Sequence, residues 1–304
     1  MLTTYLQYAI GGLAMGSIYA LIAVGYAMVW QAIGRLNFAQ GPAVMFSGFI
    51  GLTVYRLLPP MPNFLAFLLV ILLASLLSSL MALFVHKAVH EPILRKNTKI
   101  ASFERVNLLV GTLSVGIILE NVAKMIWTGE PQHFPKLIGE GTIRVSGVSF
   151  PALYIWMFLL SLFLVILLQL FFYYTKPGKS LRAVAQDKEA AALMGVNVAK
   201  SIQQTFMIVY ALGAVAGVMV APILYAYFAN GMPLGLKGFS AAALGGMYNV
   251  PGAVLGGILL GVLEGIGAGI VGSGYRNAVA FGILIIVLIF RPTGIFAERK
   301  VDKL

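Results

Sequence analysis

The chain contains no cysteine, which excludes disulfides, thiolate nucleophiles and sulfur-bound metals together. Charge is scarce too: Asp, Glu, Lys and Arg make up 10% of the 304 residues, far below the roughly one quarter that keeps a soluble domain hydrated. The charges present are unbalanced, with 21 basic against 10 acidic side chains. In a chain that is 60% hydrophobic, such an excess marks cytoplasmic loops and anionic headgroups, and no nucleic-acid partner is expected. Also missing are H-E-x-x-H, G-x-S-x-G and paired catalytic carboxylates, so no catalytic residue and no enzyme is expected. His86 and His90 are spaced for one metal, yet no third ligand accompanies them, and no metal site is expected.

What the chain has in abundance is uncharged apolar sequence in runs of about 20 residues, each long enough to cross the hydrocarbon of a bilayer as a helix. Runs bounded by charge, Pro or Gly clusters fall at Tyr5–Trp30, Pro42–Leu58, Phe64–Val85, Val106–Trp127, Pro151–Thr175 and Gln204–Phe228. The first lacks a basic leader and exceeds a signal-peptide core, which predicts a retained span. After Gly238 come a short piece, Phe239–Met247, then Val250–Val271 and Tyr275–Phe290, punctuated by Asn249, Pro251, Gly272 and Gly274.

Orientation follows from the connections. Lys87, Arg95, Lys96, Lys99 and Arg105 cluster in one segment, and Lys176, Lys179, Arg182, Lys188 and Lys200 in a second. Arg291, Arg299, Lys300 and Lys303 form a third, and these segments with Arg35 are expected inside. Alternation then puts Arg56, Lys136, Arg144, Lys237 and Arg276 outside. Parity demands an odd number of crossings after Gly238, which makes Phe239–Met247 a short or re-entrant segment enclosed by protein. The expectation is an all-α polytopic bundle forming one domain over residues 1–304. It has about eight full spans and one short segment, with the N-terminus outside and the C-terminus cytoplasmic. The polar outer segment Thr128–Phe150 alternates at 142–146, which suggests a small hairpin.

Several residues are candidates for chemistry or packing. Glu120 and Lys124 lie at i and i+4 in one span, where they either neutralise each other or flank a path for a zwitterion. Glu264 has no partner in its own span and is expected to face protein or water. Gly257, Gly261, Gly265 and Gly269 recur every four residues and predict a smooth face for close helix packing, a device repeated by Gly12–Gly16 and Gly213–Gly217. The pattern G-x-G-x-x-G at Gly267–Gly272 ends a span with no strand before it and reads as packing. Gly178-Lys179-Ser180 echoes a phosphate-binding loop, but Tyr173 stands where that loop needs glycine.

Residues 178–200 have the punctuation of a short amphipathic helix, with Ser180 as candidate N-cap and Gly195 at C′. It is either a docking element or a helix lying in the interface. Its apolar contacts fall to Leu181, Val184, Ala185, Ala191, Ala192 and Met194.

Glu189-Ala190-Ala191, followed after three residues by Gly195, resembles the EAA-type loop of the membrane subunits of ABC importers. The residues from Gly16-Ser17-Ile18-Tyr19 to Val24-Gly25-Tyr26 look like the first span of the branched-chain amino acid permease family. Leu36-Asn37-Phe38-Ala39-Gln40-Gly41 looks like that family's LNFA-x-G turn, with Gln40 where many members have His, and Arg291-Pro292-Thr293-Gly294-Ile295-Phe296 looks like its terminal signature. The resemblance spans nearly the whole chain. It implies a permease subunit in the bacterial cytoplasmic membrane, translocating branched-chain or related small amino acids.

The resemblance further implies partners: two cytoplasmic ATPases, which use the ATP and Mg while this chain binds no cofactor, a second homologous permease and a periplasmic binding protein. The implied coupling residues are Ser180, Leu181, Glu189, Ala190, Ala191 and Gly195, with Asn37 and Gln40 joining Glu120, Lys124 and Glu264 as path candidates. Alternatives are a urea or amide permease of the same family, an ion-coupled secondary transporter, for which acidic residues are few, and a membrane scaffold. The permease pair is either two homologous chains or a homodimer.

Overall fold

The structure is a computed structural model describing residues 2–92, 101–145, 147–291 and 293–296. The expected inner charges Arg95, Lys96, Lys99, Arg299, Lys300 and Lys303, and Pro292 of the terminal motif, lie outside the described residues. Helix α1 (Leu2–Ile33) leads to α2 (Gln40–Leu57) and α3 (Asn63–Val85), which continues into a π turn at His86–His90. Then come α4 (Ala101–Trp127), an antiparallel hairpin of β1 (Thr142–Val145) and β2 (Val148–Pro151), and α5 (Leu153–Tyr174). Two short helices, α6 (Lys176–Gln186) and α7 (Lys188–Leu193), precede α8 (Val198–Leu224), α9 (Gly231–Gly245), α10 (Val250–Val271) and α11 (Arg276–Phe290).

Seven helical segments among the described residues are long and apolar enough to cross a membrane, which makes the chain a polytopic helical membrane protein. They are α1, α3 with its π turn, α4, α5, α8, α10, and α11 with its preceding turn. Helix α2 is less apolar and α9 has 15 residues, and both lie inside the bundle.

Apolar on every side, α1 can only be satisfied by complete enclosure. From Ala14 to Val29 it is buried around its whole circumference and forms the axis of the bundle. Helices α3, α5 and α11 form the rim, with Leu72, Leu76 and Leu80, Phe163 and Ile166, and Ile285 and Ile289 exposed. Such a surface is tolerable only against acyl chains.

A Cβ on Gly265 would stand 2.5 Å from Tyr8 O, and one on Gly12 2.5 Å from Gly261 O, so α1 and α10 touch backbone to backbone through Gly257, Gly261 and Gly265, while Gly269 makes room for the Tyr8 ring. Gly217 plays the same part between α8 and α2, against the backbone of Val44 and Gly48, while Gly213 meets the Val44 side chain.

Boundaries differ from the sequence reading where side chains cap helices. Asn197 Oδ1 accepts the Lys200 N–H at 2.9 Å, so α8 begins at Val198 and takes in the expected loop residue Lys200. The short piece expected at Phe239–Met247 is the second half of α9. Gly235 and Gly238 do not break this helix; they admit the backbone of Gly41 and the side chain of Ile22.

Candidate functional site

The loop after α5 is held more rigidly than its polarity suggests. Thr175 is the N-cap of α6, its Oγ1 accepting the Gly178 N–H at 3.0 Å, with proline in the first turn. Ser180, expected to cap, lies inside α6 and donates its hydroxyl to Lys176 O at 3.1 Å. Gly178 is obligatory because a Cβ there would stand 2.7 Å from Phe172 Cα, where α6 turns back on the end of α5. Leu181 and Val184 are buried on one side of α6, and Arg182 faces outward.

The single helix expected here is two. Asp187 adopts an extended backbone and its Oδ1 accepts the N–H groups of Glu189 and Ala190 at 2.9 and 3.0 Å, restarting the chain as α7. Gly195 does end α7, at φ +82°, in a Schellman arrangement: its N–H reaches Ala192 O, and that of Val196 reaches Ala191 O, both at 3.0 Å. Ala191 anchors α7 to the bundle. Glu189 and Ala190 face solvent, and Leu193 and Met194 are 89% and 85% exposed. The expected inward contact of Met194 is therefore not made. The fold holds two apolar side chains out on a stub capped at both ends.

Glu264 faces protein. Its Oε1 accepts from Lys237 Nζ at 2.8 Å and from the Tyr19 hydroxyl at 3.2 Å, and meets Arg276 Nε at 3.1 Å. Lys237 also donates to Tyr19 at 3.3 Å. Sequence reasoning placed Lys237 in an outer connection, but it lies within α9 and is buried. The cluster ties α1, α9, α10 and the start of α11 together. No periodicity within one span could have revealed it.

Asn37 and Gln40 are buried at the turn between α1 and α2. Asn37 Oδ1 accepts the Ala39 N–H at 3.1 Å, closing the turn, and Gln40 Nε2 donates to Ile22 O at 2.7 Å beside Gly25. Both make these hydrogen bonds within the bundle. The terminal motif has a similar purpose: Ile295 N–H bonds Leu244 O at 2.8 Å, and Asn249 Nδ2 donates to Phe296 O at 3.2 Å, fastening the chain to the turn between α9 and α10.

Glu120 and Lys124 do not pair. Glu120 Oε1 lies beside Gly231 at the first turn of α9, without a hydrogen bond among the described residues, and Lys124 Nζ stands 5.5 Å from the centre of the Phe228 ring. A helix N-terminus draws the carboxylate and an aromatic face draws the ammonium, and together these outweigh the weak i, i+4 attraction.

Sequence reasoning missed the opposite face of α4. Its inner face is fixed by Thr112, which accepts the Phe38 N–H, and by Trp127, stacked on Phe49 at 5.0 Å. Asn107, Ser114 and Asn121, seven residues apart, therefore point away from the bundle and are exposed. The signal was present as a polar residue every seventh position in an apolar span. His86 and His90 stack on each other and lie tilted against Phe206, an aromatic cluster, and no group of three potential metal ligands occurs among the described residues.

Residues 8–288 match the family described as branched-chain amino acid transport system / permease component. The chain is 35% identical to the high-affinity branched-chain amino acid transport system permease protein BraD of Pseudomonas aeruginosa, over 98% of each chain. It is 30% identical to the permease protein LivH of the corresponding system in Escherichia coli, over 98% of this chain and 97% of that one. A probable branched-chain amino acid transport permease protein LivH of Methanocaldococcus jannaschii is 23% identical over 94% of this chain. No solved structure matches. With a match across nearly all of its length and an architecture built of apolar crossing helices, the chain belongs to the permease component family of branched-chain amino acid transport systems.

Proposed function

We propose that this chain is a membrane-spanning subunit of an ABC importer that moves branched-chain amino acids across the bacterial cytoplasmic membrane. The observation that carries the reading is the α6–α7 stub. Leu181, Val184 and Ala191 root it in the bundle, while Leu193, Met194 and Glu189 stand free at its tip. A chain without a phosphate-binding loop must take its energy from elsewhere, and this stub fits a groove on a separate ATPase.

Two such ATPases use the ATP and Mg, while this chain binds neither. Residues 178–200 are the coupling loop of a single permease domain, 1–304, paired with a second homologous permease and supplied by a periplasmic binding protein. Nine crossings, with α9 the short one, put the N-terminus outside and the coupling loop and C-terminus inside. The outward stripe of α4 spans about 21 Å between Asn107 and Asn121 at 1.5 Å per residue, and amides are not left against hydrocarbon. This stripe, with Glu120 and Lys124 beside its outer end, faces the aqueous path between the two permeases.

Reconstitution in vesicles with the two ATPases, the partner permease and the binding protein tests the reading. Leucine accumulates only when ATP is hydrolysed; uptake that persists without the ATPases contradicts it.

A further inference from the structure

A cavity of about 360 Å³ opens where the ends of α1 and α5 and the edge of α6 between its buried and exposed sides meet the turn between α9 and α10. Its floor is largely apolar, formed by Met28, Ala32, Phe172 and Leu181 with the buried Thr205, and its rim is polar, with Gln31, Gln169 and Arg182. Arg182 lies 4.4 Å above the Tyr173 ring, and no carboxylate among the described residues lies within ion-pair distance of it. Gln169 makes no hydrogen bond among the described residues, and the single bond that Gln31 donates goes to Tyr248 O, which leaves its own carbonyl free. A guanidinium with no carboxylate partner, beside the free Gln169 amide and the free Gln31 carbonyl and over an apolar floor, suits an anionic group that carries hydroxyls and is attached to hydrocarbon.

The surroundings supply the hydrocarbon. The outer face of α5 runs apolar from Leu159 through Phe163 and Ile166 to Leu170, all exposed, and ends at Tyr173 and Tyr174 beside the cavity. Two aromatic rings closing an apolar helix mark the headgroup level of a bilayer. Lys176 and Lys179 follow on the exposed side of α6. Helix α6 therefore lies in the interface with its cations toward anionic lipid, and Arg182 is the one of the three that lines a concavity.

We propose that this cavity binds the headgroup of one anionic phospholipid, with its phosphate on Arg182, its polar end toward Gln169 and Gln31, and its acyl chains along α5. The bound headgroup touches α1, α6 and the first turn of α10 at once, so it braces the coupling helix against the axis of the bundle. Only the assignment to the cytoplasmic leaflet rests on the proposed orientation; the binding itself is independent of transport.

The test is native mass spectrometry of the full chain, purified in detergent and offered equal amounts of phosphatidylglycerol and phosphatidylcholine, with glycerol 3-phosphate added in a separate arm. The wild type retains one phosphatidylglycerol with at least about tenfold preference, the scale of one well-placed charged contact. Arg182→Gln and Gln169→Glu lose the preference, Arg182→Lys keeps part of it, and Lys179→Gln, outside the cavity, keeps all of it. Equal retention by wild type and Arg182→Gln overturns the proposal. So does saturation by glycerol 3-phosphate without lipid, which would make the cavity a site for a free anion. A loss of transport with lipid retention intact bears on the import reading and leaves the lipid site standing.

Discussion

The buried cluster at Glu264 makes an asymmetric prediction. One carboxylate oxygen serves two cations: Lys237, 7% exposed in its side chain and 2.8 Å away, and Arg276, 37% exposed and 3.1 Å away. Glu264→Gln strands Lys237 in the bundle with no counter-ion, and removing one partner of a buried pair costs about 3–5 kcal/mol. Lys237→Met leaves Glu264 facing Arg276, so the loss is nearer that of one charged hydrogen bond, roughly 1.5–3 kcal/mol. The double variant Lys237→Met/Glu264→Gln leaves only Arg276, which is exposed enough to turn toward water, and it is therefore more stable than Glu264→Gln alone. Reversible unfolding in mixed detergent micelles, read as a double-mutant cycle, measures all three. Additive effects, or a Glu264→Gln variant milder than Lys237→Met, would refute the assignment of Lys237 as the principal counter-ion.

Other consequences follow from the same packing. Gly261→Val drives a side chain into the backbone of Gly16 and destabilises by about 1–3 kcal/mol or more, whereas Gly274→Ala, with no atom within 4 Å of its Cβ, changes thermal unfolding little. Asp187→Ala removes the acceptor shared by Glu189 and Ala190, weakens α7 by about 1 kcal/mol, and speeds amide exchange over 188–194 while leaving α6 unchanged. Because the chain has no cysteine of its own, Ser114→Cys and Asn121→Cys report water directly. In the assembled importer both react with a charged thiol reagent and Leu72→Cys does not; equal protection of all three would remove α4 from the path.

The layers of this fold were legible in the sequence to different degrees. Length and apolarity announced α1, α3, α5 and α10, because a bilayer imposes both on any crossing helix, and the four-residue glycine repeat announced which faces meet. The hairpin at β1 and β2 was visible as alternation. Capping misled at Ser180, since Thr175 sits one turn earlier and Asp187 interrupts the helix, and a local pattern cannot choose between neighbouring cap residues. The partners of Glu264 come from three other elements, 12 residues away at the nearest and 245 at the farthest, and no one-dimensional period encodes such a meeting. Glu120 and Lys124 had the right spacing for a pair, but α9 and the Phe228 turn compete for them. Asn37 and Gln40 belonged to a recognisable motif whose visible work is to close the turn and pin α2 to α1.

In the proposed importer, energy enters this bundle through the bare tip of α7. The most direct test is to purify the importer carrying Leu193→Asp together with Met194→Asp and measure the ATPase retained per permease alongside leucine uptake. Both are expected to fall to background while the permease keeps its wild-type unfolding midpoint, since neither side chain packs on the bundle. Full ATPase retention with normal uptake would contradict it.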